Sequence, residues 1–185
     1  MKLSEVIDVA RYARKYSLHS EILGLYEVSE DLIDINQPGL IMHGSEADPL
    51  TILKYGLAPQ RTKKNELESD WQVCLGISSK EPNTTLAKSL SMKNPAVKYA
   101  GNFSTEGIIY VLSVNVKNTP GYKEFWESEQ QRGYAWVPQA IVADQITALI
   151  TENIPLAAAA TLAAKTQKPI YKPNGNCYIA KDITE

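Results

Sequence analysis

The sequence predicts an α+β domain, and three observations support that class. Helical spacing of apolar residues at 3–16 alternates with strand-like runs, of which the β-branched run 107–116 is the clearest. The 185 residues are 44% hydrophobic and 22% charged, as in ordinary globular proteins, and are enough to bury a sizeable core. No apolar run approaches the ~18 residues that a membrane-spanning helix needs.

We expect one domain in three parts. An N-terminal helical segment covers residues 1–39 as a lid on the sheet. The core covers residues 40–150, and a C-terminal helix and hairpin at 151–185 pack on the same domain.

The first half of the chain predicts two helical pieces and then a strand. We expect an amphipathic helix at 3–16 and a short helical turn at 20–26, before a turn at 36–39. A strand from Leu40 then delivers His43, Gly44 and Ser45 at its end. Asp48 and Pro49 open a short helix that Gly56 ends.

The second half predicts most of the sheet. The expected elements are a strand at 71–77 ended by Ser78-Ser79, a helix carrying Leu86, Ala87 and Leu90 after a cap at Asn83 or a following threonine, a strand at 107–116, a loop or short helix at 122–132, strands at 134–137 and 146–150, a helix at 155–165, and a terminal hairpin of 170–171 with 177–180.

Charge and cysteine content bear on environment and partners. The net charge of −2 gives no overall argument for binding nucleic acid or a membrane. Cys74 and Cys177 lack metal-type spacing, and two free thiols in a reducing compartment are favoured over one disulfide. The acidic N-terminal stretch does not suit a secretory signal. We therefore expect a cytoplasmic protein, or an effector delivered into a target cell's cytoplasm.

Residues 40–59 resemble the first NAD-binding segment of the ADP-ribosyltransferase superfamily. In that segment a strand ending in His-Gly-Ser/Thr precedes a helix that reads Ile-Leu-x-x-Gly-Leu. The matching residues here are His43, Gly44, Ser45, Ile52, Leu53, Gly56 and Leu57. The resemblance implies a split, mixed β-sheet core that binds NAD as substrate, with His43 on a ribose hydroxyl and the Gly44 backbone on the nicotinamide amide.

The stretch after the second strand is similar to the family's second segment. Ser78 and Ser79 end that strand, and Ala87 lies in the helix that follows. The resemblance implies that a serine here holds the nicotinamide pocket and the ribose. Two serines that merely begin a turn remain the alternative. Tyr55 or Tyr99 is a candidate for stacking on the nicotinamide ring, with core packing as the alternative.

Glu127 and Glu129 resemble the Glu-x-Glu pair of arginine-modifying members. In that pair the second glutamate bonds the 2′-hydroxyl of the nicotinamide ribose, and the first contacts the acceptor. The family's glutamate falls where this chain has Gly133 or Tyr134. Glu129 therefore fits only with a longer loop or a bulge before the closing strand, and the alternative is that this chain departs from the family at the catalytic position. The resemblance thus implies Glu129 and Glu127 as catalytic residues, with no metal.

The predicted function is transfer of ADP-ribose from NAD to a macromolecular acceptor, protein or nucleic acid, with release of nicotinamide. A small molecule or water also remains open as acceptor. For a toxin or effector of this kind, a further expected partner is a neutralising antitoxin or immunity protein. We expect no binding to a membrane. One alternative is a catalytically lapsed module that binds a nucleotide or protein. Another is an unrelated α+β domain.

Overall fold

The computed structural model describes residues 25–28, 34–61, 71–91, 94–103, 107–127, 132–154, 162 and 166–180. The strands are β1 Leu25–Val28, β2 Ile41–Ser45, β3 Gln60–Arg61, β4 Trp71–Ile77, β5 Ile108–Leu112, β6 Lys123–Glu127, β7 Arg132–Val137, β8 Ile146–Ile150, β9 Ile170–Tyr171 and β10 Cys177–Ala180. The α-helices are α1 Pro49–Tyr55, α2 Leu86–Ser91 and α3 Pro95–Tyr99, and short 3₁₀ helices span Val114–Asn118 and Ala143–Gln145.

The described strands form one mixed, ten-stranded sheet. Its order is β1-β10-β9-β8-β5-β2-β4-β7-β6, and β3 pairs with β4. β8 and β9 run parallel, and the other pairs are antiparallel. The expected α+β class is therefore confirmed, with β2, β4 and β5 central.

Apolar residues cover both faces of the central strands. On one face, Ile41, Leu75 and Tyr110 belong to a buried cluster with Ile52 of α1, and we call this the α1 face. On the other face, Met42 and Ile109 are buried in a second cluster with residues of α2 and α3, and we call this the α3 face. Alternation along the strands decides to which face each side chain belongs.

Helix α1 forms as its sequence predicts. The Asp48 carboxylate accepts the N–H of Leu50 at 3.1 Å, and Pro49 occupies the first turn. Gly56 ends the helix with φ +84°, where its N–H donates to the Ile52 carbonyl at 2.7 Å. Leu57 then pairs with Ile141, which anchors the helix end to the chain that follows β7.

Two glycines let α3 lie directly on the sheet. A Cβ built on Gly44 would be 1.7 Å from the carbonyl oxygen of Ala96, and one on Gly76 would be 2.2 Å from Asn94 Oδ1. Asn94 caps α3 by accepting the N–H of Ala96 at 2.9 Å, and it donates to the carbonyl of Ile77 at 3.2 Å. The side-chain volume absent at Gly44 is thus occupied by helix backbone.

Several other expectations are confirmed. β4 has the predicted bounds, and Thr85 caps α2 by accepting the N–H of Lys88 at 3.2 Å. β9 and β10 form the terminal hairpin. Cys74 and Cys177 are both free thiols. Among the described helices, none has the length and apolar character needed to cross a membrane.

Some expectations are wrong. Residues 25–28 form a strand beside β10, not part of a helical segment, and the sheet therefore extends beyond residues 40–150. The strand predicted at 107–116 ends at Leu112, because Ser113 caps a 3₁₀ helix by accepting the N–H of Asn115. The predicted loop or helix at 122–132 contains β6, which pairs with β7.

The remaining expectations concern residues that are mostly not described. The helix at 3–16 lies outside the described residues. Leu162 is the one described position in the helix predicted at 155–165.

Candidate functional site

His43, Gly44 and Ser45 lie within β2, not in a turn beyond it. All three residues pair with β5, where His43 is opposite Tyr110 and Ser45 is opposite Ile108. On its other edge, β2 pairs with β4 only through Ile41 and Met42. The two central strands therefore stop pairing at His43, and we call this place the β2–β4 opening.

The His43 side chain bridges this opening. Its Nδ1 lies 2.9 Å from the carbonyl oxygen of Cys74, which can only accept, so Nδ1 carries the proton. Burial lowers the pKa of His43, and the hydrogen bond to the Cys74 backbone raises it. The effect of burial is the larger, so the pKa lies below its ordinary value. Neutral His43 thus presents Nε2 as an acceptor. This differs from the predicted donation to a ribose hydroxyl, because Nδ1–H already has an acceptor.

Ser78 and Ser79 have structural partners. Ser78 is buried, and its hydroxyl accepts the N–H of Leu40 at 2.7 Å and donates to the Gln37 carbonyl at 3.3 Å. Ser79 is also buried, and its Oγ accepts the N–H of Glu81 at 3.1 Å. Both hydroxyls thus stabilise the turns that flank β2 and β4.

Ser78 and His43 lie at opposite ends of the β2–β4 pair. The N–H of Ser78 donates to the carbonyl of Leu40, so Ser78 is level with a residue three positions before His43. At about 3.3 Å per residue, that is about 10 Å along the strand. Antiparallel neighbours end at opposite edges of the sheet, so two strand-end motifs on such neighbours do not meet.

Three of the other predicted residues have local contacts. The Ser45 hydroxyl accepts the N–H of Ala47 at 3.0 Å. Tyr55 is 69% exposed, and the Lys54 ammonium lies 4.9 Å from its ring centre. Glu127 forms an ion pair with Arg132, its partner across the β6–β7 hairpin. Glu129 lies outside the described residues.

Tyr99 has the better position of the two stacking candidates. It ends α3, is 50% exposed, and interacts electrostatically with Cys74 and Tyr134. Burial raises the pKa of its hydroxyl, and both neighbours raise it further. Because His43 contacts the Cys74 carbonyl, Tyr99 and Tyr134 lie beside the β2–β4 opening.

The α3 face of the sheet continues past Tyr99 as a half-exposed aromatic surface. Tyr134 is opposite Gly76 on β4 and Phe125 on β6, and Trp136 is opposite Cys74 and Lys123. Phe125 is 54% exposed, and its ring centre is 6.4 Å from that of Tyr134. We call Cys74, Tyr99, Phe125, Tyr134 and Trp136 the aromatic surface. An antiparallel sheet face in contact with solvent is more often polar.

Charged residues flank the aromatic surface. The guanidinium of Arg132 lies 5.8 Å from the Tyr134 ring centre, and Lys123 is exposed beside Trp136. Register and alternation put Glu127 on this same face, next to Arg132. With β4 and β7 between β2 and β6, Glu127 is about 14 Å from β2 at ~4.8 Å per strand.

A second polar cluster, on the α1 face, was not predicted as a site. The Glu124 carboxylate accepts hydrogen bonds from Tyr122 at 2.7 Å and Trp126 at 3.1 Å, and lies 2.9 Å from Lys117 and 3.7 Å from Lys80. Burial alone would raise the pKa of Glu124. The hydrogen bonds from Trp126, Tyr122 and Lys117, with the Lys117 charge, outweigh burial and lower this pKa to about 2.

Four of its members lie within residues 117–126, and Lys80 joins them from the turn after β4. Glu124 and Trp126 are two apart on the same face of a strand, a spacing that a correct strand prediction at 122–132 would have revealed. Among the described residues, no group of three or more His, Cys, Asp or Glu side chains is placed to hold a metal ion.

Comparisons with protein-family models, with curated proteins and with solved structures found no match to this chain.

Proposed function

We propose that this protein is an NAD-dependent ADP-ribosyltransferase that binds NAD across the aromatic surface, beside the β2–β4 opening. The supporting observation is that Tyr99, at the end of α3, and Tyr134, on β7, lie together on the α3 face beside the opening that His43 bridges, with Glu127 at the far edge of the same face on β6. Aromatic rings suit the nicotinamide and adenine, and Lys123, exposed beside Trp136, suits the pyrophosphate.

In this proposal, His43 accepts a hydrogen bond from a ribose hydroxyl through Nε2. The lowered pKa supports that role, because the imidazole stays neutral at pH 7. Tyr99 and Tyr134 stack on the bases. Gly44 acts indirectly, by admitting α3 and thereby positioning Tyr99.

The reaction breaks the bond between the ribose C1′ and the nicotinamide nitrogen, and nicotinamide leaves with the bonding electron pair. A carboxylate then stabilises the positive charge that develops at C1′, as Glu127 or the neighbouring Glu129 would. An acceptor nucleophile forms the new bond to C1′ and loses its proton to solvent. Protein or nucleic acid is the proposed acceptor.

A second candidate, a binding module that has lost transfer activity, is supported by the Glu127–Arg132 ion pair. A carboxylate already paired with a guanidinium is less available to a developing cation. Binding of NAD or of a partner would then be the whole function, using the same aromatic surface.

Calorimetry with NAD tests the binding step. We expect Tyr134→Leu and Tyr99→Leu to weaken NAD at least 10-fold. The matched control, Tyr55→Leu, removes an exposed tyrosine outside the aromatic surface and should change affinity less than twofold. Absence of NAD binding by the unaltered chain would overturn both candidates.

Release of nicotinamide and label transfer from NAD into a cell lysate test the reaction. Loss of turnover in Glu127→Gln or Glu129→Gln, with NAD affinity kept, supports the transferase. Glu81→Gln, an exposed carboxylate paired with Lys88, is the control and should retain activity. NAD binding without nicotinamide release identifies the binding module instead.

A further inference from the structure

The strongest unassigned feature is a pocket at the end of the sheet where β2 begins and β5 ends. It has a volume of about 450 Å³ and opens to solvent. Cavities of roughly 300–1,000 Å³ accommodate small organic ligands. Its wall includes Leu40, Ile41, Leu112, Val114, Lys80 and Lys117.

This wall combines an apolar side with two cations. Leu40, Ile41 and Leu112 are buried, and Val114 is 68% exposed at the rim. Lys80 and Lys117 are the charged residues of the lining. The pocket is therefore suited to a molecule with an apolar body and an anionic group.

Both ammonium groups already converge on one anion. Lys117 Nζ lies 2.9 Å from Glu124 Oε1, and Lys80 Nζ lies 3.7 Å from Oε2. The two cations thus face a single negative charge and leave an excess of one positive charge. A phosphate dianion that enters the pocket can contact both lysines. Its negative charge then neutralises the positive charge that Glu124 leaves.

Lys80 is also held by an aromatic ring. Its Nζ lies 4.2 Å from a ring centre of Trp126, which fixes the ammonium near the pocket without using a second carboxylate. The Trp126 indole N–H donates to Glu124, so the ring, the carboxylate and the lysine form one connected group. The cationic side of the pocket is therefore preorganised.

We propose that this pocket binds a small organic phosphate, with the phosphate on Lys80 and Lys117 and the apolar body against Leu112 and Val114. The site is separate from the proposed NAD surface, since the lysine cluster is on the α1 face. In the complex, Glu124 competes with the ligand for the lysines.

Calorimetry with phenyl phosphate as the probe tests the proposal. We expect Lys117→Ala to weaken binding at least 10-fold. Glu124→Gln should tighten it about threefold or more, because the competing charge is removed while the size of the side chain is kept. Lys88→Ala, an exposed lysine paired with Glu81, is the control and should stay within twofold.

Val114→Trp tests the apolar side without touching a charge. The exposed position tolerates a large side chain, which should fill the pocket and weaken phenyl phosphate at least 10-fold. Tyr134→Leu should leave phenyl phosphate affinity unchanged, which separates this site from the NAD surface. The proposal is overturned if phenyl phosphate does not bind, or if Lys117→Ala or Val114→Trp binds it within twofold of the unaltered chain.

Discussion

The Nδ1–H of His43 donates to the carbonyl oxygen of Cys74 at 2.9 Å, where β2 and β4 no longer pair. It lies just beyond the last β2–β4 pair, which joins Met42 to Gly76. It also fixes the tautomer of the imidazole. The chemistry proposed for His43 depends on this one hydrogen bond.

The protonation of His43 should make the protein less stable in mild acid. Burial lowers the folded-state pKa below the ordinary value of 6.5, so the unfolded chain binds the proton first. The free energy of unfolding should therefore fall as the pH drops from 6.5 towards the folded-state pKa, and should be level above pH 6.5. Urea unfolding at a series of pH values measures this slope.

His43→Gln should flatten that slope, since glutamine does not titrate. Ser45→Ala, which changes the same strand without changing a titrating side chain, is the control and should leave the slope as it is. Equal slopes for His43→Gln and the unaltered chain between pH 4.5 and 6.5 would contradict the buried, neutral His43.

Gly44→Ala should destabilise the fold by about 3 kcal/mol or more, because the new Cβ would overlap backbone and not a movable side chain. The overlap is with the carbonyl oxygen of Ala96, 1.7 Å from the ideal Cβ position. Ser45→Ala, one residue along the same strand, should cost less than about 1 kcal/mol. Urea unfolding compares them. A stable Gly44→Ala protein with weakened NAD binding would instead indicate a direct ligand contact.

Ser78→Ala should cost about 1–3 kcal/mol, because it leaves the buried N–H of Leu40 without an acceptor. NAD affinity should remain within twofold. The control, Ser113→Ala, removes an exposed cap and should cost about 1 kcal/mol or less. If Ser78→Ala instead loses NAD affinity at full stability, Ser78 is a ligand contact.

Glu124→Gln should lower the free energy of unfolding at pH 7 by about 1–3 kcal/mol, since a partly buried, four-partner carboxylate loses its charge. The lowered pKa means that this stabilisation is present above pH 4.5 and is lost as the pH falls through about 2. The difference in the free energy of unfolding between the unaltered chain and Glu124→Gln should therefore vanish near pH 2. Glu81→Gln, with its exposed ion pair, should change stability by less than about 0.5 kcal/mol. A difference that persists at pH 2 would mean that the charge of Glu124 is not the cause.

The sequence was most informative where local chemistry decides the structure. Asp48, Pro49 and Gly56 define α1 without help from the rest of the chain. β6 was missed because Lys123, Glu124 and Glu127 have weak local strand preference, and pairing with β7 outweighs it. Local strand propensity alone therefore does not predict an edge strand such as β6.

The site was less predictable, because register and strand direction are long-range properties. Ser78 and His43 are strand-end residues in the sequence, yet antiparallel pairing separates them by about 10 Å. Tyr99 and Tyr134 meet beside Cys74 only because Gly44 and Gly76 admit α3. Lys80, Lys117 and Glu124 come together from three separate elements.

The pairing of β1 with β10 has a consequence for how the chain is made. Within the described part of the chain, Leu25–Val28 pairs with Cys177–Ala180 alone, and this is the last of the described strands that a ribosome adds. During synthesis, the central strands can therefore assemble before β1 has its hydrogen-bonding partner. The pairing of β1 with β10 joins distant parts of the chain, and we expect it to be late and slow. Nascent chains halted before residue 177 should retain a protease-sensitive segment at 25–28.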